Sequence, residues 1–164
     1  MSFKIFVSYS TKDIVEIRPI LQQIQTIKDT EFFFAEETLN PGDQISQRII
    51  DYISNCDIFI LFYSEFARDS TYVQHEIGVA KANNKIIIPI LLDASKPDGM
   101  LQDINYLNFY DQTKKQQEFE RLYNFIVRNV QSKNQKSALS LLALLGLGYL
   151  LLKSDDGQYE EDDF

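Results

Sequence analysis

Histidine, cysteine, proline and glycine are scarce in this chain, and each scarcity removes a class of function. There is one cysteine, Cys56, so no internal disulfide can close. One cysteine and one histidine cannot supply a standard structural zinc site, and no metal is expected. Cys56 falls between a helical and a strand pattern, where a reduced, buried thiol is expected. A Ser-His-Asp mechanism would have to run through His75, which has no evident nucleophile at a fixed offset. Four prolines and six glycines, with 45% hydrophobic residues, exclude a disordered chain. No G-x-x-x-x-G-K-[ST] occurs, and the only G-x-G, Gly146–Gly148, lies in a leucine run instead of between a strand and a helix, so a phosphate-cradling P-loop is excluded. A basic footprint is also missing. The net charge is −8; six acids and no base sit in the tail "SDDGQYEEDDF", which leaves −2 for the rest, and no nucleic-acid partner is expected. The opening "MSFKIFVSYS" reads as a strand, with no signal peptide expected.

What is present is an alternation. "KIFVS" (4–8) is a short apolar run, followed by Ser10 three residues before Asp13, a capping-box spacing. Ile14, Ile17, Leu21, Ile24 and Ile27 then recur at helical intervals. "EFFFA" (31–35) is a second strand, and "EETLNPGD" (36–43) a loop with a Pro-Gly turn. From Asp43 as N-cap, Ile45, Ile49, Ile50 and Ile53 mark a second helix. "DIFILFY" (57–63) and "KIIIPILL" (85–92) are unbroken apolar runs, the pattern of strands covered on both faces. Between them lies "STYVQHEIGVA" (70–80), closed by Asn83-Asn84. A fifth strand near "YLNFY" (106–110) and a helix through Phe119, Leu122, Phe125, Ile126 and Val130 complete the unit.

Strands alternating with helices predict right-handed crossovers and an open parallel five-stranded sheet with helices on both faces, flavodoxin-like α/β. In such sheets the ligand crevice lies beyond the carboxyl ends of the strands, between strands one and three. "SYS" (8–10), "YSE" (63–65) and the start of the helix holding Glu76 would line it.

"IFVSYSTKD", "FFFAEETLNPGDQI" and "STYVQHEIGVAKANNKIIIPILL", in this order and spacing, resemble the TIR (Toll/interleukin-1 receptor) domain in its prokaryotic form, over roughly residues 3 to 130. The resemblance implies that Glu76 is the glutamate that is catalytic in members cleaving NAD+. It implies substrate contacts at Tyr9, Ser10, Phe33 and Tyr72, the last standing where the family usually has tryptophan. It also implies self-association through the loop holding Glu36, Glu37, Pro41, Gly42 and Asp43. The expected function is that of an NAD+ nucleosidase releasing nicotinamide and ADP-ribose or a cyclic isomer, in antiviral defence or signalling. NAD+ would be the substrate, with no resident cofactor, and other TIR domains the partners. The alternatives are a non-catalytic TIR assembly module and a nucleoside deoxyribosyltransferase on a related fold.

The chemistry suits one carboxylate. As the nicotinamide–ribose bond lengthens, positive charge develops on the ribose. Nicotinamide leaves as a neutral molecule from a cationic ring, so no acid is needed to protonate it, and a preorganised counter-charge worth about 3–4 kcal/mol can decide activity. Tyr72 falls one turn before Glu76 on the same helix face. Taken without the resemblance, Glu76 is an ordinary solvated side chain, Ser10 a cap, Phe33 core, His75 exposed, and Glu65 with Arg68 an exposed loop pair.

Residues 1–132 are expected to form the TIR domain, 133–153 a transmembrane helix with a basic flank, and 154–164 an acidic tail. The run "SALSLLALLGLGYLLL" (137–152) carries no charge. At 1.5 Å per residue it spans ~24 Å, short of a ~30 Å hydrocarbon core unless Lys136 and Lys153 snorkel. With Arg128, Lys133 and Lys136 before it, the expectation is a single-pass anchor in the cell membrane, with the TIR domain cytoplasmic.

Overall fold

The computed structural model describes residues 2–34 and 47–155, with side chains described as far as Ser140. Five parallel strands form one sheet in the order β2-β1-β3-β4-β5: β1 Phe3–Ser8, β2 Thr30–Phe34, β3 Ile58–Tyr63, β4 Ile86–Leu91 and β5 Leu107–Asn108. The helices are α1 Ile14–Ile24, α2 Gln47–Asn55, α3 Glu65–Asp69, α4 Thr71–Ala82 and α5 Lys115–Asp155. Order reverses between β1 and β3, which pair directly from Ile5↔Ile58 to Ser8↔Leu61.

The period-two alternation of β3 explains why its apolar run is unbroken. Ile58, Ile60 and Phe62 join the cluster that buries Ile17 and Ile24 of α1 and Leu122 and Ile126 of α5. Phe59, Leu61 and Tyr63 join the opposite cluster, with Ile53 of α2, Ala67 of α3, and Val73, Ile77 and Ala80 of α4. A strand covered on both sides has no polar face to show. Phe6 and Phe59, paired across β1 and β3, stack with ring centroids 5.4 Å apart.

Coverage is incomplete at the start of β4. Ile86 is 51% exposed, because β5 pairs only with Ile90 and Leu91 and leaves the start of β4 at the sheet edge. Asn84, at φ 53°, turns the chain out of α4 in the left-handed region that asparagine tolerates better than most residues. The N-cap and first isoleucine expected for α2, Asp43 and Ile45, lie outside the described residues.

The membrane expectation is corrected. Among the described residues no helix is long and apolar enough to cross a membrane, so a single-pass placement and a membrane partner have no support. The leucine run continues α5, whose earlier turns dock on the sheet through Leu122, Ile126 and Val130. Its uncharged part is too short alone, at ~24 Å, and the turns before it are polar and charged.

Docking contacts of α5 run on to Lys133. Its Nζ donates to Asp57 Oδ2 at 2.6 Å and to the Ser2 carbonyl at 2.9 Å; the same Asp57 oxygen accepts the Lys4 N–H at 2.7 Å. Asn134 reaches Asp29. This ion pair is about three-quarters buried. Lys133→Met, which keeps the apolar stem but removes the ammonium, is expected to lower stability by about 1–2 kcal/mol in urea unfolding. An unchanged midpoint would show that the pair only decorates the surface.

Candidate functional site

Both β1 and β3 run toward the same end of the sheet, so the segments leaving them, Tyr9–Asp13 and Ser64–Ser70, meet there. Each is shaped by a serine. Ser10 ends β1's extension in extended conformation and its Oγ accepts the Lys12 N–H at 3.4 Å, opening a short 3-10 turn, Thr11–Asp13. Ser64 caps α3 by accepting the Ala67 N–H at 3.0 Å, and Ser70 caps α4 by accepting the Val73 N–H at 3.4 Å.

With α4 started at Thr71, its buried stripe is Val73, Glu76, Ile77 and Ala80. Helical spacing therefore turns a carboxylate inward among apolar neighbours. Glu76 is only 4% exposed, which rules out the ordinary solvated reading. Ser8, the last residue of β1 and fully buried, donates its hydroxyl to Glu76 Oε2 at 2.5 Å, in the range of a hydroxyl bonded to a carboxylate. A buried acid is tolerated only where donors meet it, and Ser8 is one. His75, on the opposite side of the helix, is exposed.

A cleft of about 600 Å³ opens between the segments that follow β1 and β3, lined by residues near Ser8 and Glu76 in the chain but not by that pair itself. One wall is Ser10, Thr11 and Lys12; the other is Glu65, Phe66 and the run from Asp69 to Tyr72. Lys12 Nζ lies 4.9 Å from the Phe66 ring centre. Of the residues expected at the site, Ser10 and half-buried Tyr72 line this cleft, one turn of helix from Glu76. Phe33 is half-buried on the α2/α4 side and stacks on Tyr52 with centroids 4.4 Å apart. Tyr9 packs against the α1/α5 cluster. Glu36, Glu37, Pro41, Gly42 and Asp43 lie outside the described residues. Glu65 is exposed and Arg68 half-buried; they pair at 3.7 Å, on a helical turn and not a loop.

Three acids that bond the end of β3 and the segment after it, none of them lining the cleft, were not legible in the sequence. Asp13 has the spacing of a capping box with Ser10, yet its side chain makes no cap; its Oδ2 accepts the Ser64 hydroxyl at 2.6 Å. Burial pushes the Asp13 carboxyl up, the Ser64 bond opposes this in part, and the Asp93 charge adds to the rise. Asp93 is itself pushed up by burial, but the N–H groups of Glu65 and Ser95, each at 2.8 Å, outweigh that and hold it below the usual range. Asp98 accepts the hydroxyl of Tyr63 at 3.2 Å; burial and this acid push the phenol up to about 12. Cys56 is the inert thiol expected, pushed up to about 11 by burial despite the nearby Lys85 ammonium. No group of three or more metal-ligating side chains occurs among the described residues.

The Asp13 shift fixes a pH dependence. A group whose pKa is higher folded than unfolded favours the fold fully below its unfolded pKa, and that contribution is lost as pH rises through the folded value. Asp13→Asn cannot ionise. Its stability relative to the parent protein is therefore expected to be greatest at neutral pH and to fall as pH is lowered toward the unfolded aspartate value of about 3.9. Thermal midpoints across that range test it; a difference independent of pH would mean Asp13 does not titrate with folding.

Residues 5–123 match the protein family described as TIR domain. A protein of Brachypodium distachyon, described as a probable 2′ cyclic ADP-D-ribose synthase, is 30% identical over 69 residues, which are 42% of this chain and 31% of that relative. The matched stretch is thus about a third of the relative's length. The TIR domain of a Toll-related receptor from Hydra magnipapillata superposes with a TM-score of 0.59 at 18% identity, over 74% of this chain and 96% of that one. The CMP N-glycosidase of Clostridium botulinum does so with a TM-score of 0.50 at 21% identity, over 73% and 97%. These two likenesses show a shared fold.

Proposed function

The chain belongs to the TIR domain family, and on that premise we propose that it cleaves the nicotinamide–ribose bond of NAD+, releasing nicotinamide and ADP-ribose or a cyclic isomer. One observation carries the reading: a buried carboxylate, Glu76, gripped by Ser8 where strand order reverses. The partial likeness to a probable cyclic ADP-ribose synthase supports the same substrate class.

In this mechanism the dinucleotide lies in the cleft with its nicotinamide ribose toward Glu76. Tyr72 forms an aromatic wall one turn away and Ser10 bounds the mouth, whereas Phe33 and Tyr9, expected there by family resemblance, do not line this cleft. The carboxylate stabilises the ribosyl cation as the bond breaks, and nicotinamide departs without a proton. Water then attacks to give ADP-ribose, or an atom of the nucleotide attacks to close a ring. NAD+ is consumed as substrate, not held as a cofactor. Incubating the purified chain with NAD+ and following nicotinamide tests the reading directly. A folded protein releasing none at any concentration would leave the assembly-module reading in its place.

Self-association belongs to the same proposal, through the loop of Glu36, Glu37, Pro41, Gly42 and Asp43. Specific activity should rise with protein concentration, and reversing the charges of Glu36 and Glu37 should flatten that rise. Activity strictly proportional to concentration, and indifferent to those charges, would mark a self-sufficient monomer.

A further inference from the structure

We infer that Asp13 is a positioning residue whose hydrogen bond to Ser64 ties the two walls of the cleft together and so sets where substrate meets Glu76. The inference about substrate rests on the function proposed above; the tie itself does not. Asp13 closes the 3-10 turn that carries Ser10, Thr11 and Lys12, and Ser64 begins the helix that carries Glu65 and Phe66. The bond between them, 2.6 Å long, joins buried side chains from segments that approach only at the carboxyl ends of β1 and β3. It is anchored at both ends. The Asp13 N–H is held by the Ser10 carbonyl at 2.9 Å, and the Ser64 oxygen also takes the Ala67 N–H. Behind Ser64, Asp93 takes the Glu65 N–H, which fixes the start of the same wall to the end of β4.

A carboxylate with a raised cost of burial is a poor choice for stability alone. A cap would have served α1 better, yet this side chain is turned away from the helix it precedes and onto the opposite wall. α3 is a single short helix between Ser64 and Ser70 and leads directly into α4. A shift of Ser64 is therefore passed to Tyr72 and Glu76.

Amide hydrogen exchange and steady-state kinetics on the full chain decide the matter. In Asp13→Ala, amides of residues 11–13 and 65–72 should exchange about tenfold faster while those of β1 and β3 keep their protection. KM for NAD+ should rise about tenfold with kcat changed far less, because the wall that orients substrate has loosened and not the reacting group. Asp13→Asn, which can still accept the Ser64 hydroxyl, should restore both. Ser64→Ala breaks the tie from the other side and serves if Asp13→Ala does not fold. Exchange unchanged in both walls, or quickened throughout the sheet, would overturn the tie. Local loosening with an unchanged KM would overturn the positioning role. If the parent protein releases no nicotinamide, the functional reading fails while exchange still decides the tie.

Discussion

A folded protein carrying Glu76→Gln is expected to release nicotinamide from NAD+ about a thousandfold more slowly than the parent, a loss of roughly 4 kcal/mol in transition-state stabilisation. Glutamine has the shape of glutamate, and its carbonyl can still accept the Ser8 hydroxyl, which donates to Glu76 Oε2 in the parent. What disappears is the negative charge that, on the proposed function, meets the ribosyl cation. Because Glu76 is only 4% exposed, that charge acts where water screens it little. The thermal midpoint should be unchanged or higher, since a neutral amide is cheaper to bury than a carboxylate. Nicotinamide release and a melting curve on the same preparation separate the two effects. If the variant folds and cleaves within about threefold of the parent rate, Glu76 is not the group that meets the developing charge.

Ser8→Ala is expected to give the second-largest effect, a fall in kcat of about 10- to 100-fold together with about 1–2 kcal/mol of stability. Ser8 is fully buried and places its hydroxyl on Glu76 from the end of β1. Alanine leaves the carboxylate one donor fewer, in a place where a lost donor is not replaced cheaply by water. The side chain can then turn, and a reacting group displaced by about 1 Å can lose a factor of 10². KM should change less than kcat, in contrast to the pattern expected at Asp13. A parent-like kcat in a folded Ser8→Ala protein would mean that other contacts alone hold Glu76 in place.

The two predictions differ in how far the residues could be read along the chain. Glu76 was legible because the surrounding motif resembles a family with a catalytic glutamate there; its place on the buried stripe with Val73, Ile77 and Ala80 came with the structure. Ser8 belonged to a segment expected to line the crevice, but nothing local distinguished its hydroxyl from those of Tyr9 and Ser10. Its partner is 68 residues away. Asp13 and Ser64, 51 residues apart, were less legible still. The Ser10–Asp13 spacing pointed to a helix cap, and only the approach of α3 offered Asp13 a better donor. The leucine run misled for a related reason. Its apolar composition was read as a span in its own right, whereas its place as the far end of α5 depends on the docking of Leu122, Ile126, Val130 and Lys133 many residues earlier.

By itself the sequence determined the strands, their alternation with the longer helices and the apolar faces of those helices, though not the short α3, because these follow from side-chain periods of two and 3.6 within a few residues of one another. That the acid on α4 is carried inward was decided by the tertiary structure, since the residues alone read Glu76 as solvated. Only the tertiary structure decided which hydroxyl holds that acid, which carboxylate ties the cleft walls, and which lysine closes the amino-terminal edge on Asp57. Each of those contacts joins segments brought together by parallel crossovers. Their geometry is set by how the helices pack on the sheet, to within an ångström, and no pattern along the chain carries that information.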